Sequence, residues 1–260
     1  FKGSKYVQSL VRDCFHEIKE YLQQQRVVLY IATPCQIAGL YSYLKKDYSN
    51  LLTIDLICHG VSPTSYFNNE INYLKMTKKI SSITDIRFRG NDSKNYKLSL
   101  WDNNQLKYCK SAYHQYYFSG FLKGISLREN CYACDYARPE RLSDITIGDF
   151  IGLGKDFPFE YSINNVSVVL INSVRGSSLF ENMRQNTLSL YAVEREYDEA
   201  IKYGPSLCAP FPKHPKREKF VTICREKGYV YAIRRVLKYE IYRRKLLFVF
   251  TWIVRFIRTK

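Results

Sequence analysis

The feature that most constrains this chain is a strand, a helix and a second strand in immediate succession. Val27 to Ile31 is a β-branched, apolar run. Thr33-Pro34-Cys35-Gln36 then offers an N-cap, a proline at the first helical position and a glutamine three residues after the cap, ahead of apolar Ile37, Leu40 and Leu44. A second strand-like run, Leu51 to Ile57, ends at Cys58-His59-Gly60-Val61. This is the size of a βαβ unit, whose strands lie parallel. Cys35 and Cys58 therefore both follow carboxyl ends of parallel strands, the edge at which open α/β sheets bind ligands.

The rest of the sequence builds around that unit. Val7, Leu10, Val11, Phe15, Ile18 and Leu22 have helical spacing, which predicts a helix over 6–22 with Ser4 as its cap. Residues 83–108 alternate and contain Asp102-Asn103-Asn104-Gln105, which predicts an antiparallel excursion turning at the asparagine pair. An aromatic helix is expected over 113–122, a strand over 145–150 and a buried strand over 166–171. Helix formers dominate from 213 onward. The predicted fold class is α/β, with a parallel βαβ core sheet, an antiparallel β insertion and a helical C-terminal region.

Eight cysteines in a 260-residue chain of ordinary globular composition point to thiols, metal ligands or redox chemistry rather than a disulfide framework. Cys131-x-x-Cys134 is the spacing at which two thiolates chelate from one loop, and it needs two further ligands for a four-thiolate site. Cys35 and Cys58 are the best placed to supply them. Spacing alone leaves an iron–sulfur cluster, a structural zinc and an unmetallated pair all open. Cys14, Cys109, Cys208 and Cys224 have no partner at chelating spacing and read as core or incidental. His59 is read either as a ligand or proton carrier or as a local hydrogen-bonding residue. Gly3-Ser4-Lys5 offers amides, a hydroxyl and a cation, which suit a phosphate or an ordinary cap.

Five ordered segments, Gly3 to Ser9, Thr33 to Leu40, Asp55 to Val61, Asn130 to Cys134 and Ser143 to Phe150, resemble the beta subunit of coenzyme F420 hydrogenase/dehydrogenase, C-terminal domain family. The resemblance implies an iron–sulfur flavoprotein oxidoreductase. It implies that Cys35, Cys58, Cys131 and Cys134 hold a 4Fe-4S cluster, and that Ser4, Lys5, Thr33, Pro34, Gln36, His59, Gly60, Gly148 and Asp149 line FAD. Ala32 stands where the family usually has Gly, and Ile151 where Trp commonly follows Gly-Asp-Phe. Electrons would pass between a ferredoxin-like donor or subunit, the cluster and FAD to a small-molecule acceptor, a deazaflavin or a glycan precursor. Relatives carry flavin-domain sequence before Gly-Ser-Lys-Tyr. Residues 1–212 are accordingly expected to form the oxidoreductase domain, incomplete at its N-terminus, with 213–260 as a helical, basic tail.

The net charge of +16 raises other partners. Residues 225–260 hold 11 Lys and Arg against Glu226 and Glu240, so most of the excess sits there. Residues 229–260 suit a helix lying at an anionic membrane surface, or one packed on the core or on a second subunit. Leu246 to Ile257 is too short to span a bilayer, which needs roughly 20 apolar residues. Nucleic acid is not expected, because the aromatic residues fall in apolar helical stripes rather than interleaving with cations. Bacterial relatives often belong to surface-polysaccharide loci, which suggests a cytoplasmic protein, peripheral at the inner membrane face, and a homo-oligomer is allowed. The alternative reading is a truncated, non-catalytic relative acting as a partner subunit in polysaccharide biosynthesis.

Overall fold

The computed structural model describes residues 6–89, 96–163 and 166–258, with backbone alone for 245 and 247–258. The chain forms two compact units. One comprises Ser9–His59 and Ala133–Phe211; the other comprises Phe1–Gln8, Gly60–Tyr132 and Pro212–Lys260. The helical stretch after 212 thus shares a unit with residues 60–132.

The first unit carries a four-stranded sheet of order β1-β2-β6-β7, where β1 is Val28–Ala32, β2 Leu51–Leu56, β6 Ile145–Asp149 and β7 Ser167–Ile171. The first three strands are parallel and β7 is antiparallel to β6. Helix α2, Pro34–Leu44, connects β1 to β2. It starts where the sequence predicts: Pro34 needs no N–H at this position, and Gln36 Oε1 accepts from the Thr33 amide at 3.2 Å. Helix α1, Cys14–Gln23, packs against α2 and β1 through Ile18 and Leu22, which are buried with Leu40, Leu44, Tyr48 and Leu51. Leu51, Thr53 and Asp55 of β2 are buried, whereas Leu29, Ile31, Leu56, Val169 and Ile171, on the opposite sheet face, remain exposed. The strand over 166–171 is consequently only half-buried, with alternating exposure rather than the full burial expected of it.

The helix predicted over 6–22 begins eight residues late. Arg12 has φ 42°, outside the helical region, and tertiary partners claim the preceding residues. The Tyr6 ring packs against Phe118 at 4.8 Å and Phe121 at 5.5 Å, and the Ser9 carbonyl accepts from Gln36 Nε2 at 3.2 Å. Ser4, the expected cap, lies outside the described residues.

The second unit holds the antiparallel excursion, strands β3 (Asp85–Arg87), β4 (Lys97–Asp102) and β5 (Gln105–Ser111) in that spatial order. Asn103 and Asn104 have φ 43° and 67°, the pair of left-handed residues that a two-residue hairpin turn requires. In chain order α5 (Val174–Asn186) and α6 (Tyr197–Tyr203) belong to the first unit. In the second, helices α3 (Thr64–Thr77) and α4 (Tyr116–Leu122) pack on α7, which runs from Arg217 to Arg258 and is interrupted at Gly228. Phe88, Leu98, Leu100, Phe118, Phe220 and Ile233 are among the residues buried in this unit. Neither unit's described helices include one long and apolar enough to cross a membrane.

Candidate functional site

In the parallel-sheet unit, β1 and β2 run side by side with Ala32 opposite Asp55. Three residues beyond each partner stand Cys35, in the first turn of α2, and Cys58. β6 continues the same edge, with Leu56 opposite Ile147 and the Ile57 amide donating to the Ile147 carbonyl at 2.9 Å. Gly148 and Asp149 follow. Thr33-Pro34-Cys35, Ile57-Cys58-His59 and Gly148-Asp149 therefore lie at the carboxyl edge of the parallel strands.

Cys35 is exposed, and its Sγ lies 3.3 Å from Thr33 Oγ1. The Tyr30 phenol is pushed up to about 12, first by burial and then by the neighbouring Cys14 and Cys35 sulfurs. His59 packs its ring on Phe211, 4.1 Å between centroids. Thr33 and Gln36 serve the start of their own helix, with Thr33 Oγ1 donating to Gln36 Oε1 at 2.9 Å. At Gly148 a Cβ would come within 2.7 Å of the Ile57 side chain, so local packing alone accounts for the glycine.

The segment after Cys134 is tied to the end of β2 by a residue that the sequence does not single out. Arg141 donates from Nη1 to the Tyr136 carbonyl at 3.1 Å, and from Nη2 to Asp55 Oδ2 at 2.8 Å and to the Leu56 carbonyl at 3.1 Å. Both side chains of this ion pair are buried. Asp144, within the Ser143 to Phe150 segment but not among the expected cofactor residues, accepts from the Thr53 amide at 2.8 Å, Thr53 Oγ1 at 2.9 Å and Ser173 Oγ at 2.6 Å. Burial alone would raise its pKa, but these hydrogen bonds and Arg175 outweigh that and lower it. An isolated arginine or aspartate in a polar stretch carries no sign of such a partner.

The other unit contains Gly60 and Cys131. Gly60 has φ 107°, and a Cβ there would lie 2.8 Å from Leu127 Cδ1 and 3.2 Å from Cys131 Cβ. Cys131 sits in the 3₁₀ turn Glu129–Ala133, and its Sγ accepts from the Val61 amide at 3.4 Å. The chain passes between units at His59–Gly60 and Tyr132–Ala133, within both cysteine segments.

The donor set suits an iron–sulfur cluster in kind: thiols at chelating spacing, one at a helix N-terminus and one accepting an amide hydrogen bond. Among the described residues, no three His, Cys, Asp or Glu side chains already form a metal-ligand group. For the flavin, Ser4 and Lys5 lie outside the described residues, and the partners of Thr33, Gln36 and Gly148 are protein groups, so no observation at these positions singles out a flavin.

Among solved structures, a chain in a xenon-derivatised F420-reducing [NiFe] hydrogenase complex from Methanosarcina barkeri is similar at TM-score 0.45 and 15% identity, over 85% of this chain and 69% of that one. That likeness is too distant to carry an argument. No curated protein matches the sequence. The family model for the C terminus of the coenzyme F420 hydrogenase/dehydrogenase beta subunit matches residues 25–195, which contain the whole four-stranded sheet and all four candidate ligand cysteines. This chain belongs to that family of redox-enzyme subunits.

Proposed function

We propose that the protein is an iron–sulfur flavoprotein oxidoreductase subunit in which Cys35, Cys58, Cys131 and Cys134 ligate one 4Fe-4S cluster. The observation that carries this reading is the shared edge: Cys35 and Cys58 follow adjacent parallel strands in a chain of a hydrogenase/dehydrogenase family. When bound, the cluster supplies one-electron exchange and FAD supplies two-electron exchange as hydride. The chain's own residues bind and tune. The Cys35 sulfur stands in the first turn of α2, the Val61 amide donates to the Cys131 sulfur, and Gly60 leaves room for the close approach of Leu127 and Cys131. Arg141 holds the segment after Cys134 to the end of β2.

Thiols must lose their protons to bind iron, so uptake of the cluster is favoured as pH rises and is coupled to the ordering of the cysteine loops. FAD, held by Ser4, Lys5, Thr33, Pro34, Gln36, His59, Gly60, Gly148 and Asp149, is part of the proposal on the strength of the sequence resemblance. The donor is a ferredoxin-like protein or subunit, the acceptor a small molecule such as a deazaflavin or a glycan precursor, and the setting is cytoplasmic.

Single Cys-to-Ser variants test the ligand set. Each of the four, purified without oxygen, is expected to lose most of its iron and broad visible absorbance, while Cys109→Ser and Cys208→Ser retain both. Full iron in Cys131→Ser refutes the assignment.

A further inference from the structure

One stripe of the last helix is turned to solvent, and its composition is unusual. Beyond Gly228, Tyr229, Ala232, Ile233, Val236, Leu237 and Ile241 are buried on the helix against which α3 and α4 pack. Tyr231, Arg235, Lys238, Tyr239, Tyr242 and Leu246 are all exposed and recur at the spacing of a single helix face. Tyr239 is 71% exposed and Tyr242 60%. Tyr113, on the same unit, is 55% exposed with the Arg244 guanidinium 5.1 Å from its ring. Tyrosines therefore alternate with cations along one surface, in contrast with the purely apolar stripes expected of the aromatic residues.

The charge of this face is not cancelled. Arg234 is committed to buried Glu70 at 2.9 and 3.0 Å and does not belong to the stripe. Glu240, the sole acid from 228 to 260, is held by Lys123 and by Lys216. Arg235 and Lys238 on the stripe, and exposed Arg243 at its border, have no acidic partner among the described residues and leave the face positive. The helical backbone continues to Arg258 through a sequence that is mostly apolar, Leu246 to Ile257. No described helix is apolar enough to span a bilayer.

We propose that this face lies flat on an anionic lipid surface, with Tyr231, Tyr239 and Tyr242 at headgroup depth and Arg235, Lys238 and Arg243 on lipid phosphates. Tyrosine rings favour that interface because one end is apolar and the other is wet, and cations on an amphipathic helix add attraction to acidic lipids. A nucleic-acid platform has the same tyrosines and cations, but the mostly apolar sequence that follows, Leu246 to Ile257, favours acyl chains over phosphodiester.

Flotation of the full-length protein with vesicles tests this. Vesicles of phosphatidylcholine with about 30 mol% phosphatidylserine should carry the protein at about 0.1 M salt and release it at about 0.5 M, whereas pure phosphatidylcholine should not. The triple variant Arg235→Glu/Lys238→Glu/Arg243→Glu should lower the bound fraction roughly tenfold or more, and Tyr239→Ser/Tyr242→Ser should lower it at unchanged charge. Both variants alter exposed positions, and an unaltered thermal melt confirms their fold. Failure to float at low salt overturns the proposal. So does tighter binding to a single-stranded oligonucleotide than to vesicles, or a dimer in solution that the same variants dissociate. Cluster content is independent of all these outcomes.

Discussion

Arg141 and Asp55, 86 residues apart in sequence, form an ion pair at 2.8 Å in which the two side chains are only 2% and 1% exposed. Asp55 lies three residues before Cys58, and Arg141 also holds the Tyr136 carbonyl, two residues after Cys134. One guanidinium thus ties together two of the segments proposed to carry ligands. Replacing it is costly because the carboxylate stays buried without its partner. Arg141→Met is expected to destabilise the protein by about 3–5 kcal/mol, read as a lower urea midpoint. The double variant Asp55→Asn/Arg141→Met should recover part of the loss. A single variant of unchanged stability would show that the pair is not an anchor.

The stability of the unit that carries α7 should depend on acid through Glu240. Burial would raise its pKa, but hydrogen bonds from Lys123 and Lys216 dominate and lower it from 4.5 to about 2. A carboxylate with a depressed folded-state pKa contributes stability that is complete above its unfolded value and is lost as pH falls through the folded value. The loss should therefore fall between about pH 4.5 and pH 2. Glu240→Gln should flatten the stability profile in that window. An identical acid limb in the variant would exclude Glu240 as its source.

Gly60 reports on backbone conformation beside Cys131. Gly60→Ala must hold an L residue at φ 107° with its Cβ 2.8 Å from Leu127, and should cost about 1–3 kcal/mol in thermal or urea unfolding. A neutral effect would mean that the Gly60 turn yields easily.

In the hairpin, Asn104 at φ 67° tolerates glycine but not a β-branched side chain. Asn104→Val should destabilise by about 1–2 kcal/mol, whereas Asn104→Gly should be neutral or stabilising. Reversal of that order would contradict the turn geometry.

Local chemistry explains what is legible in the sequence. The start of α2 is written in consecutive residues, since Thr33, Pro34 and Gln36 each act within one turn. The hairpin is likewise written in Asn103-Asn104, and the relation between Cys35 and Cys58 follows from strand direction alone. What stays hidden depends on distant partners. Periodicity extends α1 back to residue 6, but Tyr6 is taken by Phe118 and Phe121. Glu70 and Arg234 meet across 164 residues, with Gln115 Nε2 donating to the same carboxylate at 2.9 Å. No spacing rule announces such a pair, and the anchoring role of Arg141 is invisible for the same reason. The tyrosine stripe of α7 emerges only from the structure, because its meaning rests on which helix face is buried.

The most direct measurement is anaerobic purification of the complete gene product, followed by iron, sulfide and flavin analysis with a visible spectrum. About four iron and four sulfide per chain with a broad visible shoulder, together with one released flavin, is the predicted result. A folded, colourless protein that binds neither iron nor flavin after reconstitution would contradict the oxidoreductase reading and leave a binding subunit built on a redox-enzyme fold.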